Sequence, residues 1–235
     1  MDRMADPQRV AEQYVDESRL ETRRSVWRDS ADGRNPQDAA AAAIRAADPR
    51  RILEVGCGTG VFAARLTSEH PDATVIAIDQ SPRFVEMTAA RGVSAQVADV
   101  QQLPFPDEGF DVVVAMWMLY HLPDLDQGLR EIRRVLRPGG RLVAVTNGAG
   151  HTAGLRRDAG GGPARTQFSV ENGADVLGRH FATVTQDDIA TRAVFEDHAH
   201  AAAYLASFDE ALAGNLPWFD GPREDTGDTT VLVAR

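Results

Sequence analysis

Lysine is absent from this sequence, so its 25 basic side chains are all arginine. This absence excludes chemistry that depends on a lysine amine, such as a pyridoxal Schiff base or the phosphate-binding lysine of a P-loop. Cysteine is almost absent as well, since Cys57 is the only one in 235 residues. One thiol cannot form an internal disulfide or supply a structural zinc site built on several thiolates. We therefore predict a fold without disulfides and without a bound metal.

Long apolar runs and basic tracts are lacking too. No segment approaches the roughly 18 apolar residues that span a bilayer, and residues 1–14 are polar rather than signal-like. We expect a cytoplasmic protein, a monomer or a homodimer, that does not bind membranes. The 35 acidic side chains outnumber the basic ones and give a net charge of −10 at pH 7. Because nucleic-acid binding depends on neutralising phosphates, we expect no nucleic-acid partner.

Short β-branched runs alternate with segments that begin at helix caps. Capping side chains precede a proline at Asp6, Asn35 and Ser81, and Asp124 is predicted to cap a helix that ends at Leu136. The β-branched runs lie at 51–55, 74–78, 94–98, 110–116 and 141–146. This alternation predicts an α/β fold in which helices cover both faces of a parallel sheet.

The pattern loosens after Thr146. Glycines and the lack of apolar periodicity over residues 147–168 predict a mobile loop. The remaining predicted elements are helices at 169–179 and 197–212 and strands around 181–189 and 229–233.

The sharpest functional signal is a glycine-rich turn, ILEVGCGTG at residues 52–60, between a predicted strand and a predicted helix. Gly56, Gly58 and Gly60 let the backbone turn tightly and present its N–H groups to a ligand without interference from a Cβ. The turn has two other interpretations. It could bind nothing, or it could bind a nicotinamide or flavin dinucleotide, because residues 58–63 also fit G-x-G-x-x-A.

Three carboxylates at the predicted strand ends help to separate these interpretations. Glu54, two residues before the first glycine, would repel a pyrophosphate but suits an ammonium group. Asp79 ends the second strand, where a carboxylate can accept both hydroxyls of a ribose. Asp99 ends the third strand and could accept from an adenine amino group, while the N–H of Val100 meets a ring nitrogen. Each acid could instead be a solvated strand-end residue or a helix cap. Together they favour a ligand that joins adenosine to an amino acid.

These residues resemble the class I S-adenosylmethionine-dependent methyltransferases, in particular those with a core of the ubiquinone and small-molecule type. Residues 54–60, Asp79 and Asp99 match the family's glycine motif and its ribose-side and adenine-side acids, and residues 103–124 and 136–145 match its fourth- and fifth-strand motifs. The resemblance implies S-adenosylmethionine as cofactor and S-adenosylhomocysteine as product. The cofactor-binding residues that it implies are Tyr14, Glu54, Gly56, Cys57, Gly58, Gly60, Asp79, Gln80, Asp99, Val100 and Met116.

The same resemblance implies a Rossmann-like, doubly wound sheet of seven strands that is mostly parallel, with the last strand antiparallel. It also implies a helical N-terminal cap at 1–48 and a cofactor-binding domain at 49–235.

Aromatic residues after the fourth predicted strand are candidates for the acceptor site. Trp117 and Tyr120 are predicted to bind the acceptor, and His121 is a candidate general base because its ordinary pKa near ~6.5 suits proton removal at neutral pH. All three could instead pack or orient the turn. His198 and His200 are expected to be solvated, because their spacing places them on different helix faces.

Cys57 is predicted to fill space rather than to act as a nucleophile, because Glu54 works against a thiolate. Four arginines near the N-terminus alternate with acids, which favours ion pairs within one helix. They are Arg19, Arg23, Arg24 and Arg28.

The predicted function is methyl transfer to an oxygen or nitrogen of a small molecule, mainly through alignment of donor and acceptor. Alternatives are an RNA methyltransferase, an NAD(P)-dependent reductase and a non-catalytic S-adenosylmethionine-binding protein. Acceptor specificity is expected to lie in residues 1–48, 147–168 and 190–228.

Overall fold

A computed structural model describes residues 18–235. Its centre is an eight-stranded sheet in the order β1-β7-β8-β6-β5-β2-β3-β4. The strands are β1 (Trp27–Arg28), β2 (Arg51–Val55), β3 (Thr74–Asp79), β4 (Ser94–Val97), β5 (Phe110–Met116), β6 (Leu136–Asn147), β7 (Val184–Phe195) and β8 (Arg223–Ala234). The helices are α1 (Ser18–Ser25), α2 (Pro36–Arg45), α3 (Val61–Glu69), α4 (Pro82–Ala90), α5 (Leu125–Val135), α6 (Ala153–Asp158), α7 (Gly173–Leu177), α8 (His198–Ala206) and α9 (Glu210–Asn215), with a 3₁₀ turn at Leu119–His121.

The Rossmann-like sheet is confirmed. The neighbouring strands β6, β5, β2, β3 and β4 are all parallel, and the last strand, β8, runs antiparallel between β6 and β7. The sheet has eight strands rather than the expected seven. The extra strand is β1, a two-residue edge strand that pairs with β7 and comes from the segment predicted to be a helical cap.

Local signals located most elements of the first half. Asn35, Ser81 and Asp124 each cap a helix by accepting a backbone N–H of its first turn, and the strands at 51–55 and 110–116 have the predicted bounds. Asp6 and its proline lie outside the described residues.

The second half differs more from prediction. Strands β7 and β8 are longer than predicted, because beyond the Asn147–Thr229 pair, where β6 ends, they continue as a two-stranded ribbon to the Phe195–Arg223 pair. The predicted helix at 197–212 is two helices, since the Asp209 side chain caps the second. The predicted helix at 169–179 is helical only in α7.

The segment predicted as a loop at 147–168 contains helix α6. Two acids of β8 bind its backbone. The carboxylate of Asp225 accepts the Leu155 N–H, and that of Asp228 accepts the Gly150 N–H at 3.0 Å. Leu155 is fully buried. The segment therefore has structure that its own sequence does not signal.

Three apolar cores follow from this arrangement. One lies on each face of the main sheet, built around residues such as Leu53 and Ile132 on one side and Ile44 and Ile52 on the other. The third lies between the ribbon and helices α6, α8 and α9, and we call this part of the molecule the cap. The cap stands beyond the carboxyl edge of the parallel strands, where ligands of open α/β sheets bind.

The region predicted as an N-terminal cap is divided between these cores. Helix α2 packs on the main sheet through Ile44, whereas Val26 and Trp27 belong to the core of the cap. Among residues 18–235, no helix has the length and apolar character needed to cross a bilayer.

Candidate active site

The glycine-rich turn leaves β2 at the carboxyl edge. Gly56, Gly58 and Gly60 have φ values of +68°, +54° and +74°, a region that side chains other than glycine rarely occupy. A Cβ on Gly60 would lie 2.7 Å from the Cα of Thr88, whereas a Cβ on Gly58 would meet no atom of residues 18–235 within 4 Å. Gly60 therefore allows α4 to pack closely, and Gly58 borders open space that a ligand can use.

We expect Gly58→Ala to fold but to bind S-adenosylhomocysteine about tenfold more weakly, because a methyl group in a fitted site costs ~1–3 kcal/mol. Its stability should fall by about 1–2 kcal/mol, the cost of left-handed backbone. Gly139→Ala is the matched control, since Gly139 has φ +78° and equally open surroundings among the described residues but lies near the start of β6, at the amino edge of the sheet. Denaturant melts and calorimetric titration of both variants check this. Equal ligand affinities in the two variants would contradict it.

Glu54 is a buried acid within this edge. Its side chain is 1% exposed, and its Oε2 is buried without a hydrogen-bond partner among residues 18–235. Burial raises its pKa to about 8, an effect that the positive charge of Arg24 opposes and the negative charge of Asp79 reinforces. A buried carboxylate without a partner is costly unless a cation or a donor reaches it. The position therefore suits a ligand ammonium group.

Arg24 is a site residue that sequence analysis assigned to another role. Its Nη1 donates to the Thr59 Oγ1 at 2.8 Å, which brings a cation of α1 onto the glycine turn. Arg23 donates to the Ser207 Oγ at 3.1 Å, so the two arginines fasten α1 to the turn and to the cap. These contacts lie outside the helix in which the arginine stripe was predicted to pair, and two of the acids of that predicted pairing, Asp16 and Glu17, lie outside the described residues. The partners of Arg24 and Arg23 lie 35 and 184 residues away, and no local pattern signals them.

Asp79 holds the glycine turn from the neighbouring strand. Its Oδ2 accepts the Gly58 N–H at 2.9 Å, and its Oδ1 accepts the Ser81 N–H at 2.9 Å. Burial raises its pKa, and these backbone donors act in the opposite direction. A carboxylate has about four acceptor positions, so Asp79 can still accept from ligand hydroxyls while it orients the turn.

Asp99, after β4, lies one strand further along the same edge, next to Gln80, which follows the end of β3. The Gln80 Nε2 donates to the Asp99 Oδ1 at 3.2 Å, and the Gln101 N–H donates to the same oxygen at 2.9 Å. An open groove of about 420 Å³ begins here, and the 53% exposed side chain of Val97 gives it an apolar wall. A polar edge beside an apolar wall suits a flat heterocycle. The groove is lined by Gln80, Val97, Ala98, Asp99, Gln101 and Pro123. The side chain of Val100 is buried in the core.

The aromatic candidates lie at the end of β5. Trp117 has φ +53°, which is unusual for a large side chain and is found at strained functional sites. Its indole N–H donates to the Asn147 Oδ1 at 2.9 Å, so the orientation of the ring is fixed. Tyr120 and His121 follow on the 3₁₀ turn with their rings 4.4 Å apart. Both are half-buried, as is Met116, which packs against the core.

The other candidates are simpler. Burial raises the pKa of Cys57 to about 12, so its thiol stays neutral, as expected of a residue that fills space. His198 and His200 are not merely solvated, since the His198 Nε2 lies 3.2 Å from the Leu216 carbonyl oxygen and the His200 Nε2 lies 3.2 Å from the Ser25 Oγ. Tyr14 lies outside the described residues. Within residues 18–235, no group of acids, histidines and cysteine is arranged to hold a metal.

Comparison with known proteins identifies a family whose model matches the part of the chain that forms this edge. Residues 53–144 match a family model described as a methyltransferase domain. The chain is 38% identical over 113 residues to a demethylmenaquinone methyltransferase of Deinococcus radiodurans, covering 46% of this chain and 47% of that protein. It is 42% identical over 108 residues to the 27-O-demethylrifamycin SV methyltransferase of Amycolatopsis mediterranei, covering 43% and 39%. The matched part therefore spans less than half the length of these relatives.

Solved structures of low sequence identity share this fold. The YcgJ protein of Bacillus subtilis superposes with a TM-score of 0.61 at 18% identity, covering 83% of this chain and 97% of that one. At this identity, the likeness shows the fold alone.

Proposed function

Because residues 53–144 belong to the class I S-adenosylmethionine-dependent methyltransferases, we propose that this protein transfers a methyl group from S-adenosylmethionine to a small molecule. The observation that carries the proposal is the buried Glu54 Oε2, which has no hydrogen-bond partner among residues 18–235, with the guanidinium of Arg24 on the adjoining glycine turn. An anion and a cation at one turn suit the ammonium and carboxylate of an amino acid. A pyrophosphate offers the buried Glu54 neither a cation nor a hydrogen-bond donor, and this disfavours a dinucleotide.

The remaining cofactor residues continue along the edge in the order of the strands. Asp79 on β3 is proposed to accept the ribose hydroxyls, and Asp99 with Gln80 to bind the adenine end in the groove beside Val97. When bound, S-adenosylmethionine supplies a methyl group already activated by its positively charged sulfur. The protein's own task is then to align the acceptor with that methyl group and to exclude water.

Acceptor residues are proposed at the end of β5. Trp117 and Tyr120 would hold the acceptor, and His121 would take a proton from its nucleophilic oxygen or nitrogen. The relatives' names support a small-molecule acceptor, since one acts on a demethylmenaquinone and another on a demethylrifamycin. The net charge of −10 gives no support to a nucleic-acid acceptor.

Calorimetric titration tests the cofactor assignment. We expect S-adenosylhomocysteine and S-adenosylmethionine to bind and NADH and NADPH not to bind, because the buried Glu54 suits an ammonium and a pyrophosphate supplies neither a cation nor a donor to it. The dinucleotides are the matched control, since they share the adenosine group. Binding of NADH without binding of S-adenosylhomocysteine would overturn the proposal.

Binding should also release a proton through Glu54. With its pKa raised to about 8, this acid is mostly protonated at pH 7, whereas pairing with an ammonium requires the carboxylate. Binding of S-adenosylhomocysteine at pH 7 should therefore release up to about one proton, and affinity should decrease as the pH falls below about 8. Titrations in buffers of different ionisation enthalpy measure the release, with Glu54→Gln as the isosteric control that releases none. Equal proton release by the wild type and Glu54→Gln would show that Glu54 does not pair with the ligand.

A further inference from the structure

A histidine that sequence analysis did not single out lies where the carboxyl edge meets the cap. His151 follows β6, and its Nδ1 accepts the backbone N–H of Asp228 at 3.3 Å. The Gly148 N–H donates to the Asp228 carbonyl oxygen at 2.9 Å. The Nδ1 of the imidazole thus takes the place of a backbone carbonyl oxygen and continues the hydrogen bonds between β6 and β8 beyond the end of β6. Because a backbone N–H can only donate, Nδ1 carries no proton, and the neutral ring carries its proton on Nε2.

The His151 imidazole is fixed by stacking on its face as well as by the hydrogen bond at Nδ1. Its centroid lies 4.3 Å from that of the Trp27 indole, with an angle of 33° between the planes, and we call this pair the Trp27–His151 stack. The indole lies over Gly227, where a Cβ would come within 2.6 Å of it. Burial lowers the pKa of His151 to about 4, so the ring stays neutral near pH 7. A fixed, neutral imidazole results.

The stack lies on the face of the sheet that carries the acceptor residues. Gly227 and Thr229 alternate on β8 and share one face. The Thr229 hydroxyl donates to the Asn147 Oδ1 at 3.1 Å, and this oxygen also accepts the indole N–H of Trp117. Trp117, Asn147 and the Trp27–His151 stack are therefore linked on one face.

Glu54 lies on that face too. Its neighbour by alternation, Ile52, packs in the same core as Trp117 and Val231. Strands β2, β5, β6 and β8 are consecutive in the sheet, so the stack lies three strands away from Glu54 on this face. It also lies further along the strand direction, because the register places Val233 rather than Gly227 level with Glu54. Arg24, which contacts the glycine turn, and Trp27, in the stack, are three residues apart in the chain and border the space between the two.

The Nε2–H of His151 is available to donate a hydrogen bond to a ligand. Within residues 18–235, the hydrogen bond of the His151 ring is the one that Nδ1 accepts from Asp228, and Nε2 has no partner there. The charged groups nearby include three acids that bind the backbone of the same segment, Asp225, Asp228 and Glu171, and one arginine, Arg156. The acids disfavour an anionic partner for the Nε2–H, and an N–H donor does not suit a cation. A neutral oxygen is the partner that remains.

We propose that the acceptor molecule lies between Trp117 and the Trp27–His151 stack, and that the Nε2–H of His151 donates a hydrogen bond to a neutral carbonyl or ether oxygen of a flat acceptor. The proposal rests on the proposed function and deepens it by naming the acceptor class. No proton is transferred at His151, which selects and positions the acceptor through this bond.

Two small probes of nearly equal shape test the proposal. Acetophenone has the carbonyl oxygen, and α-methylstyrene has a CH2 group in its place. We expect the wild type to bind acetophenone about two- to tenfold more tightly, the effect of one neutral hydrogen bond, and the ¹⁵N signal of the His151 Nε2 to shift with acetophenone only. His151→Phe keeps a ring against Trp27 but removes the donor, so the ratio of the affinities for the two probes should fall towards one. His151→Gln can accept and donate through its amide and should retain a ratio above one.

The titrations are made with and without S-adenosylhomocysteine. If the wild type does not bind S-adenosylhomocysteine, the proposed function is contradicted, and the ratio of the two probe affinities can still be measured. The same ratio in the wild type and His151→Phe would overturn the proposal for His151. So would an unmoved Nε2 signal in wild-type protein at saturating acetophenone, and this result needs no variant to fold.

Discussion

His121→Ala should reduce kcat by at least about 100-fold, the lower bound for losing a general base. His121 ends the 3₁₀ turn that follows β5, with its ring packed edge-on against Tyr120 at 4.4 Å. This turn lies at the carboxyl edge, beside the strand that carries Glu54. KM for S-adenosylmethionine should change much less, since the proposed cofactor residues are on β2, β3 and the loop after β4. The measurement is steady-state kinetics with an acceptor found by screening phenols, amines and sugars for S-adenosylhomocysteine production.

A matched histidine variant separates base catalysis from a general loss of fold. His70 ends α3 and precedes β3, so it lies at the opposite edge of the sheet. His70→Ala should keep near-normal kcat. A pH profile adds a second test, because loss of a base should remove the acidic limb of kcat in His121→Ala. Near-normal turnover of this variant would leave alignment alone as the mechanism.

Asp79→Ala should weaken binding of S-adenosylhomocysteine by roughly tenfold to a hundredfold. Two ribose hydroxyls would lose a charged acceptor, and a hydrogen bond to a charged group contributes ~1.5–3 kcal/mol. The structure adds a cost to stability, because the N–H groups of Gly58 and Ser81 lose their acceptor as well. Each buried donor left without a partner costs ~1–3 kcal/mol. Calorimetry at low temperature measures the affinity, and denaturant unfolding measures the stability.

Asp111 provides the control for this variant. It is buried, and its Oδ2 accepts the backbone N–H groups of Arg50 and Arg51 at 2.6 and 2.8 Å, at the amino edge of the sheet. Asp111→Ala should therefore lose stability as Asp79→Ala does and retain ligand affinity. Unchanged affinity in folded Asp79→Ala would make Asp79 a structural acid of the same kind as Asp111.

The site could be predicted where its residues depend on strand ends. Glu54, Asp79 and Asp99 each lie at or next to the carboxyl end of a strand whose β-branched run is visible in the sequence, and parallel strands bring such ends to one edge. The glycine turn could be located for the same reason. What could not be predicted is which groups surround these acids. Arg24 reaches Thr59 across 35 residues, and His151 reaches Asp228 across 77.

By itself, the sequence determined the alternating strands and helices of residues 35–147, their caps and the position of the glycine turn. These depend on interactions within a few residues, such as a capping side chain and the first turn of its helix. Only the tertiary structure decided that the ribbon of β7 and β8 extends into a cap, that α6 forms in a glycine-rich segment, that the Glu54 Oε2 is buried without a partner among residues 18–235 and that His151 carries its proton on Nε2. Each of these results from burial or from hydrogen bonds between segments far apart in the chain, which leave no periodic signal in either segment.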